Sequence, residues 1–352
     1  MRKHLAVCLP GAAGKEDKCF SRSSDESFGG DSDSAMYVLC EEFAKLGIDC
    51  HTYDVLPLES FDGFLFYEMP SKDDEILSFA RAHNKSAFLI VAENHFIWKA
   101  NGDFSRYGEF DAVFSYNDDV VARGLARKLN YARIFALPKD SQPPFEDRKF
   151  ACMVSSRVKK NRPHCVSWRR LETIKFYEMQ HPELFDLYGI GWENGTFMAQ
   201  ERPAIYSVLS SLRLNKLLPK VYHPSWKGMI HGLKAPTLRN YRFVYCYENS
   251  IDIPGYITEK IFDVMMARAV PVYLGHPSTD TWIPKECYID RAAFADDADL
   301  YEYMSKLSKA DWIKYMDAGR NFMMSNKSKP FDTKTYVDTI ISVIFPKVQK
   351  EV

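Results

Sequence analysis

The sequence YRFVYCYENSIDIPGYITEKIFDVMMARAVPVYLG, residues 241–275, places a polar loop between apolar segments. Residues 241–249 predict a strand, of which residues 244–247 would be buried. Residues 258–269 have the apolar spacing of a helix, and residues 270–275 predict a second strand. A strand, a helix and a further strand in that order predict a parallel βαβ unit. Because ligands in such folds usually bind where a strand leads into a helix, the polar loop marks a candidate binding site.

Short apolar strands also alternate with amphipathic helices through the first half of the chain, which favours a parallel sheet. The predicted strands there are HLAVCLP (4–10), DCHTYDV (49–55), GFLFYEMP (63–70), SAFLIVA (86–92), DAVFSYN (111–117) and ARIFALP (132–138). The predicted helices are SAMYVLCEEFAKLG (34–47), which ends at Gly47, and DEILSFARAHNK (74–85).

A proline-rich, charged segment, LPKDSQPPFEDRK (137–149), predicts a linker between two domains, residues 1–145 and 146–352. The second domain shows the same alternation and ends in a helical tail from about residue 297. Its remaining predicted elements are strands FACMVSS (150–156) and FDLYGIG (185–191), helix HCVSWRRLETIKFYEMQ (164–180), and TKTYVDTIISVIF (333–345) in the tail. We therefore predict an α/β protein with two Rossmann-like domains that face each other across a ligand-binding cleft.

The charge balance excludes a general polyanion-binding surface. The 352 residues include 46 Lys and Arg against 47 Asp and Glu, which gives a formal net charge of −1. Neither nucleic acid nor a membrane surface is expected to be bound through bulk charge. An anionic ligand would therefore need a few local cations.

The eight cysteines form no C-x-x-C pair, and several lie in apolar segments. They are typical of buried thiols in a reducing compartment. No apolar run approaches the ~18 to 20 residues of a membrane span, and the start of the chain predicts a strand because Pro10 interrupts its apolar stretch. We expect a cytoplasmic protein, at the inner face of a membrane if it associates with one peripherally.

The polar residues of the opening loop suit a nucleotide or nucleotide sugar. A helix N-terminus near Thr258 would offer free N–H groups and a partial positive charge to a phosphate. Lys260 would add a full charge, and Glu259 could accept hydrogen bonds from sugar hydroxyls. The alternative interpretation is that Thr258 caps the helix, Glu259 offsets the helix dipole and Lys260 is solvated. The residue types alone leave both interpretations open.

A resemblance to a known family favours the first interpretation. Residues 241–277 resemble the donor-binding signature of the α-1,3-fucosyltransferases, glycosyltransferase family 10, over more than thirty residues. That pattern is approximately Y-K/R-F-x-x-x-F-E-N-S, a variable loop, Y-x-T-E-K, a helix, and x-P-V/I-x-x-G. Tyr247 stands in place of the usual Phe, and the helix carries Met265, Met266 and Arg268. LKAPTLRNYRF (233–243) is similar to the segment that precedes the signature.

Three further segments resemble the family in its order, so that the resemblance extends over about residues 3–290. RLETIKF (170–176) is similar to the helix that supplies a phosphate-binding arginine, FDLYGIG (185–191) to the strand that follows, and FLIVAENHF (88–96) to the segment with the catalytic carboxylate. The resemblance implies a GT-B fold in which the first domain binds the acceptor and the second binds GDP-β-L-fucose. The activity that it implies is inverting transfer of fucose to a hydroxyl of an acceptor.

The resemblance also implies roles for individual residues. Glu93 would be the general base that takes the proton of the acceptor hydroxyl, and His95 is the rival base because its ordinary pKa is near neutrality. Arg170 and Lys260 would offset the charge of the diphosphate. The remaining donor-binding residues, in contact with guanosine or the sugar, would be Asn249, Tyr256 and Glu259.

No cofactor or metal ion is required by this interpretation, and transfer is expected to be metal-independent. The triplet Asp31-Ser32-Asp33 imitates the D-x-D metal motif of other glycosyltransferases, but it lies in a Ser/Gly-rich loop. The acidic run 296–299 is typical of a helix start. Neither is predicted to bind metal.

Three alternatives compete with the leading hypothesis. The donor could be another GDP-6-deoxyhexose, or the chain could be a GT-B protein that binds a nucleotide sugar without catalysis. The motif PGAAGKE (10–16) suggests a P-loop, but its glycine spacing is too short and Glu16 occupies the hydroxyl position. The predicted acceptor is an oligosaccharide or a glycolipid, with α-1,3 transfer to GlcNAc or a related sugar; the sequence identifies neither.

Overall fold

The computed structural model describes residues 2–11, 14–20, 35–135, 141–157, 164–192, 208, 211 and 223–345. They form two parallel sheets, as predicted. The first sheet contains β1 (Lys3–Cys8), β2 (Ile48–Thr52), β3 (Gly63–Tyr67), β4 (Ser86–Val91), β5 (Ala112–Ser115) and β6 (Arg127–Lys128). The second contains β7 (Lys149–Val154), β8 (Phe185–Tyr188), β9 (Tyr241–Tyr247), β10 (Val270–Leu274) and β11 (Ile289–Asp290).

The strand orders are β2-β1-β3-β4-β5-β6 and β11-β10-β9-β7-β8, and every neighbouring pair is parallel. Connecting helices cover the sheets, as parallel strands require. They are α1 (Ala35–Lys45), α2 (Glu75–Ala82), α3 (Asp118–Ala122), α4 (Ser167–Gln180), α5 (Ala235–Leu238), α6 (Glu259–Met266), α7 (Asp297–Lys306), α8 (Lys309–Met323) and α9 (Thr333–Ile344). Short 3₁₀ helices lie at Lys18–Phe20, Leu58–Ser60, Lys99–Gly102, Phe104–Glu109, Phe145–Asp147, Pro182–Leu184, Pro277–Thr281, Lys285–Cys287, Arg291–Ala293 and Asn326–Phe331.

Local signals account for several of these bounds. Asp74 caps α2 by accepting hydrogen bonds from the backbone N–H groups of Ile76 at 3.1 Å and Leu77 at 2.9 Å. Gly47 follows α1 with a φ of +75°, a conformation that a glycine adopts without strain. The acidic run 296–299 starts α7, as predicted, with Asp296 as its cap.

The predicted strand at 132–138 is wrong within its described part, residues 132–135. Only Arg133 forms a bridge there, an isolated one to Asp332, and the edge of the first sheet is taken by the short β6, which the sequence did not predict. Apolar residues of this segment pack against a helix instead of pairing with a strand. Phe135, for example, packs edge-on against Phe262 of α6, with ring centroids 5.5 Å apart.

The last helix, α9, packs against the first sheet rather than the second. Its buried face joins the same core as Leu5, Leu65 and Ile90, and it contacts α1. The residues of that face are Tyr336, Val337, Ile340, Ile341 and Ile344. We predicted a helix here but grouped it with the second domain; the division of the chain at residue 145 stays a prediction.

The loop between β9 and α6 reaches into the first domain. The backbone N–H of Asp118 donates to the carbonyl of Pro254 at 3.1 Å. Gly255 has a φ of +80°, and a Cβ on it would lie 2.4 Å from the carbonyl oxygen of Tyr116, so only glycine fits this approach. The Tyr256 ring then packs 5.1 Å from that of Tyr116. The polar loop identified from the sequence therefore joins the two domains.

Candidate functional site

A cavity of about 470 Å³ opens at the carboxyl ends of β7, β8 and β9. Four of the six residues predicted for the site line it, which are Arg170, Asn249, Glu259 and Lys260. Ile97 contributes from the first domain. This volume falls within the range of about 300–1,000 Å³ that is usual for small-molecule sites. Further polar residues of the lining include Ser155, Ser156, Cys165, Lys234 and Asp263.

Glu248 organises the loop beside this cavity. Its side chain is 0% exposed. Oε1 accepts hydrogen bonds from the backbone N–H of Thr258 at 2.8 Å and from the hydroxyl of Tyr273 at 3.1 Å. Oε2 accepts from the hydroxyl of Thr258 at 2.7 Å and from Lys260 Nζ at 3.2 Å. A buried carboxylate is stable only with such partners, so Glu248 fixes the start of α6 and the ammonium group together.

Thr258 therefore does not act as the helix cap that the alternative interpretation required. It occupies the N-cap position of α6, but its side chain makes no capping hydrogen bond to the helix. Its hydroxyl instead donates to Glu248 and accepts from Lys260 Nζ at 2.8 Å. No side-chain cap from Thr258 therefore covers the helix N-terminus. The helix begins at Glu259 and Lys260 beside the cavity, and its partial positive charge there is favourable for an anion.

Lys260 is a charged group held beside the cavity rather than a solvated one. Its side chain is 24% exposed, and its Nζ lies 3.2 Å from Glu248 and 3.7 Å from Glu259. Burial acts to lower the pKa of Lys260, but the two carboxylates outweigh it, so the pKa is raised. The ammonium group is therefore protonated at neutral pH.

Arg170 lies on α4 and joins that helix to the end of β9. It is buried, and its guanidinium donates to the carbonyl oxygens of Tyr247 at 2.7 Å and Glu248 at 3.0 Å. It also donates to Asn249 Oδ1 at 3.1 Å and to Ser155 Oγ at 3.3 Å. All four acceptors are neutral, so they orient the guanidinium and leave its positive charge available to an anion in the cavity.

Glu259 supplies a carboxylate to the cavity wall. Burial acts to raise the pKa of Glu259, but the charges of Lys260 and Lys234 lower it to about 2. It is therefore ionised at neutral pH and can accept hydrogen bonds from hydroxyl groups. Lys234, whose Nζ lies 3.0 Å from Asp263, was not predicted as a site residue, although it lies in the segment that resembles the approach to the donor signature.

Glu93 follows β4 and meets the loop of the second domain. Its Oε1 accepts hydrogen bonds from the hydroxyl of Tyr256 at 2.8 Å and from the backbone N–H and side-chain amide of Asn94 at 2.8 and 3.0 Å. Oε2 accepts no hydrogen bond from any residue that the structure describes. Burial, the largest effect, raises the pKa of Glu93. One oxygen of a carboxylate with increased basicity is thus left open.

Tyr256 and Asn249 connect this carboxylate to the donor side. The side-chain amide of Asn249 donates to the Tyr256 hydroxyl at 3.4 Å, and that hydroxyl donates to Glu93. Arg170 donates to the same Asn249 side chain. Glu93 and Tyr256 are not among the residues that line the cavity. The structure therefore brings the six predicted residues together as two groups, four at the cavity and two at the domain junction beside it.

His95, the rival base, has a different environment. Its ring packs against Phe96 with centroids 4.2 Å apart, and its Cβ lies near the backbone of Gly102. Burial and the neighbouring His164 lower its pKa. Unlike Glu93, it is not connected to the loop of the second domain by any hydrogen bond that the structure records. The geometry therefore favours Glu93.

The described residues contain no group of three or more His, Cys, Asp or Glu side chains arranged to hold a metal ion. The D-x-D triplet at 31–33 lies outside the described part of the chain. None of the helices described is long and apolar enough to cross a membrane.

Residues 221–337 match the family model described as glycosyltransferase family 10 (fucosyltransferase), C-term. This segment is therefore similar to the C-terminal domain of glycosyltransferase family 10. Four of the predicted site residues lie inside the matched segment, which are Asn249, Tyr256, Glu259 and Lys260, whereas Glu93 and Arg170 precede it.

Two curated relatives are similar to this chain over part of their length. The 4-galactosyl-N-acetylglucosaminide 3-alpha-L-fucosyltransferase of Homo sapiens is 35% identical over 99 residues, 27% of each chain. The GDP-fucose protein O-fucosyltransferase 3 of Xenopus laevis is 36% identical over 103 residues, 28% of this chain and 21% of that protein. The chain thus matches only 21% to 27% of the length of these relatives.

Two solved structures share the fold of the whole chain. An α1,3-fucosyltransferase crystal structure covers 99% of this chain and 91% of its own, with a TM-score of 0.52 and 14% identity. An α-glucosyltransferase in complex with UDP covers 98% and 100%, with a TM-score of 0.56 and 10% identity. The predicted GT-B fold is confirmed.

Proposed function

We propose that this protein transfers L-fucose from GDP-β-L-fucose to a hydroxyl group of an acceptor glycan, with inversion at the anomeric carbon. The observation that carries the proposal is the segment that matches family 10, whose signature residues line a cavity next to a carboxylate of the other domain. The cavity would hold the donor, and Glu93 would act from the acceptor side.

The charges around the cavity support a diphosphate ligand. Lys260 and Arg170 carry two positive charges against the single carboxylate charge of Glu259. The start of α6 adds the partial positive charge of a helix N-terminus. Both cations are already fixed by hydrogen bonds, to Glu248 and to the end of β9 respectively. Charged groups that are already oriented can stabilise the charge on a leaving group without having to move during the reaction. We therefore assign them to the diphosphate of the departing GDP.

The reaction requires one base. The acceptor oxygen would bond to the anomeric carbon as the bond from that carbon to the β-phosphate oxygen breaks, and the hydroxyl proton would pass to Glu93. The open Oε2 and the raised pKa of Glu93 both suit this role. Tyr256, which donates to Oε1, would hold the carboxylate with its other oxygen towards the acceptor.

A donor and acceptor screen tests the proposed function. The protein is incubated with one donor and one acceptor at a time, and the product masses are measured by mass spectrometry. The donors are GDP-fucose, other GDP-6-deoxyhexoses and UDP-glucose. The acceptors are GlcNAc, N-acetyllactosamine and a peptide that contains serine and threonine. We expect a mass increase of one deoxyhexose with GDP-fucose and a saccharide acceptor. If only another GDP-6-deoxyhexose supports transfer, that sugar nucleotide is the donor instead of GDP-fucose. If GDP binds but no donor supports transfer, the chain is a GT-B protein that binds nucleotide sugars without catalysis.

Transfer is expected to persist in excess EDTA. We assign the stabilisation of the leaving diphosphate to Lys260, Arg170 and the α6 N-terminus, so no divalent cation is required. The measurement is the initial rate of GDP release after dialysis against chelator, with and without added Mn²⁺. If transfer is lost completely in chelator and Mn²⁺ restores it, this prediction is wrong. The acidic residues at 31 and 33 would then be the first candidates for metal ligands.

A further inference from the structure

Glu68 is a buried carboxylate that the proposed mechanism leaves without a role. It follows β3, next to the end of β4 that carries Glu93, and it is 8% exposed. Its backbone has a φ of +75°, which is unfavourable for a residue with a side chain. Backbone strain of this kind persists only where the surroundings enforce it, and it is commonly associated with functional sites. Both features call for an explanation beyond packing.

The Glu68 side chain is directed at the backbone that carries the proposed base. Oε1 accepts a hydrogen bond from the N–H of Glu93 at 2.8 Å. Oε2 accepts from the N–H of Ala92 at 3.3 Å and from the side-chain amide of Asn101 at 2.5 Å. The same amide of Asn101 donates to the carbonyl of Glu93 at 2.8 Å. Glu68 and Asn101 thus hold both polar groups of the Glu93 backbone.

Asn101 is itself fixed. Its Oδ1 accepts from the backbone N–H of Met69 at 2.9 Å, and its residue is 2% exposed. The network is therefore closed: Glu68, Asn101 and residues 92–93 satisfy one another inside the first domain. A displacement of about 1 Å in a reacting group can cost about a hundredfold in rate, so a rigid support beneath the base has a direct kinetic value.

We propose that Glu68 is a positioning residue that holds Glu93 in the orientation required to deprotonate the acceptor hydroxyl. This inference rests on the proposed function. It assigns Glu68 no contact with substrate. Its action is exerted through the backbone of residues 92–93.

Burial also affects the protonation of Glu68. It is the main reason why the pKa of Glu68 is raised to about 7, and Glu93 raises it further. The titratable side chains that line a cavity together with Glu68 are Cys8, Lys15, Tyr53, Tyr67 and Asp74. Four tyrosines near Glu68 have raised pKa values and stay neutral in this range. They are Tyr67, Tyr107, Tyr116 and Tyr336.

The substitution Glu68→Gln tests this role. A glutamine amide has one acceptor oxygen where the carboxylate has two. Its NH₂ group must therefore face a donor, either the N–H of Glu93 or the N–H of Ala92 and the amide of Asn101. We expect kcat for transfer from GDP-fucose to N-acetyllactosamine, or to the best acceptor of the screen, to fall about 10- to 100-fold. GDP affinity should stay within about twofold because Glu68 does not line the donor cavity.

Glu178→Gln is the matched control. Glu178 is also a shielded carboxylate, and it does not line the cavity. It accepts hydrogen bonds from Ser225 N–H at 3.3 Å and Ser225 Oγ at 2.6 Å, and its Oε2 lies 3.1 Å from His223 Nδ1. The control variant should retain kcat. If Glu68→Gln does not fold, Glu68→Asp takes its place: it keeps the charge but shortens the reach, and the same fall in kcat is expected.

The outcomes separate this inference from the proposed function. If Glu68→Gln retains kcat while Glu93→Gln is inactive, the positioning role is overturned and the base assignment stands. If Glu93→Gln retains turnover, the base assignment fails and the positioning role fails with it. A fall in kcat that Glu178→Gln shares, or that accompanies an equal loss of GDP affinity, would show general destabilisation and would also overturn the inference.

Discussion

Glu93→Gln is expected to lower the rate of fucose transfer by about 10²- to 10⁴-fold, the usual contribution of a general base. The substitution keeps the size of the side chain and an oxygen that can accept from Tyr256, but it removes the proton-accepting carboxylate. GDP affinity should be nearly unchanged because Glu93 does not line the donor cavity. The measurement is the initial rate at saturating GDP-fucose and acceptor, beside calorimetric GDP binding.

The pH dependence of the wild-type enzyme should agree with this assignment. Only the ionised carboxylate can take a proton, and burial raises the pKa of Glu93 above its ordinary value. The rate should therefore be full above that raised pKa and should decline as the pH falls through it. We expect the midpoint of this decline in rate to lie at a higher pH than an ordinary carboxyl group would give.

His95→Ala is the control for this experiment. The His95 ring lies against Phe96 and makes no recorded hydrogen bond to Glu93 or Tyr256, so its removal should preserve more transfer than Glu93→Gln does. If His95→Ala abolishes turnover in a folded protein and Glu93→Gln remains active, the imidazole is the base instead.

Periodicity and end signals in the sequence predicted most elements of the fold. The final helix illustrates this: TKTYVDTIISVIF predicts a helix, and α9 covers Thr333–Ile344. The same pattern could not show that its apolar face packs on the first sheet, because an amphipathic face is complementary to any core. The strand predicted at 132–138 failed for a related reason, since apolar residues such as Phe135 pack against α6 without pairing.

The candidate site divides in a similar way. Lys260, Glu259 and Asn249 follow a local signature, and the structure places them on one cavity. Glu248 belongs to the same stretch, yet sequence alone does not reveal that a glutamate beside a polar loop is fully buried. The contact of Glu68 with Glu93 is harder still to predict from the sequence. The Glu93 N–H donates to Glu68 only because of the way β3 and β4 are aligned in the sheet. Contacts between strands are set by register, which the sequence specifies only indirectly.

Lys260→Ala is expected to weaken GDP binding by about 10- to 150-fold, since a charge-assisted hydrogen bond contributes about 1.5 to 3 kcal/mol. It should also destabilise the fold. Lys260 is the cation that the structure pairs with the buried Glu248, and removal of one partner of a buried ion pair costs about 3 to 5 kcal/mol because the other charge stays behind. Calorimetry with GDP and denaturant unfolding measure the two effects separately.

The double variant Lys260→Met with Glu248→Gln distinguishes a binding role from a structural one. It removes both charges, so the unpaired carboxylate disappears and the free energy of unfolding should recover most of its loss. GDP affinity should stay low, because the cation proposed to face the diphosphate is still missing. Lys309→Ala is the matched surface control: its partner Glu146 is exposed, and such pairs contribute about 0–1 kcal/mol. If the double variant recovers GDP affinity together with stability, Lys260 serves the fold alone and the diphosphate must be bound elsewhere.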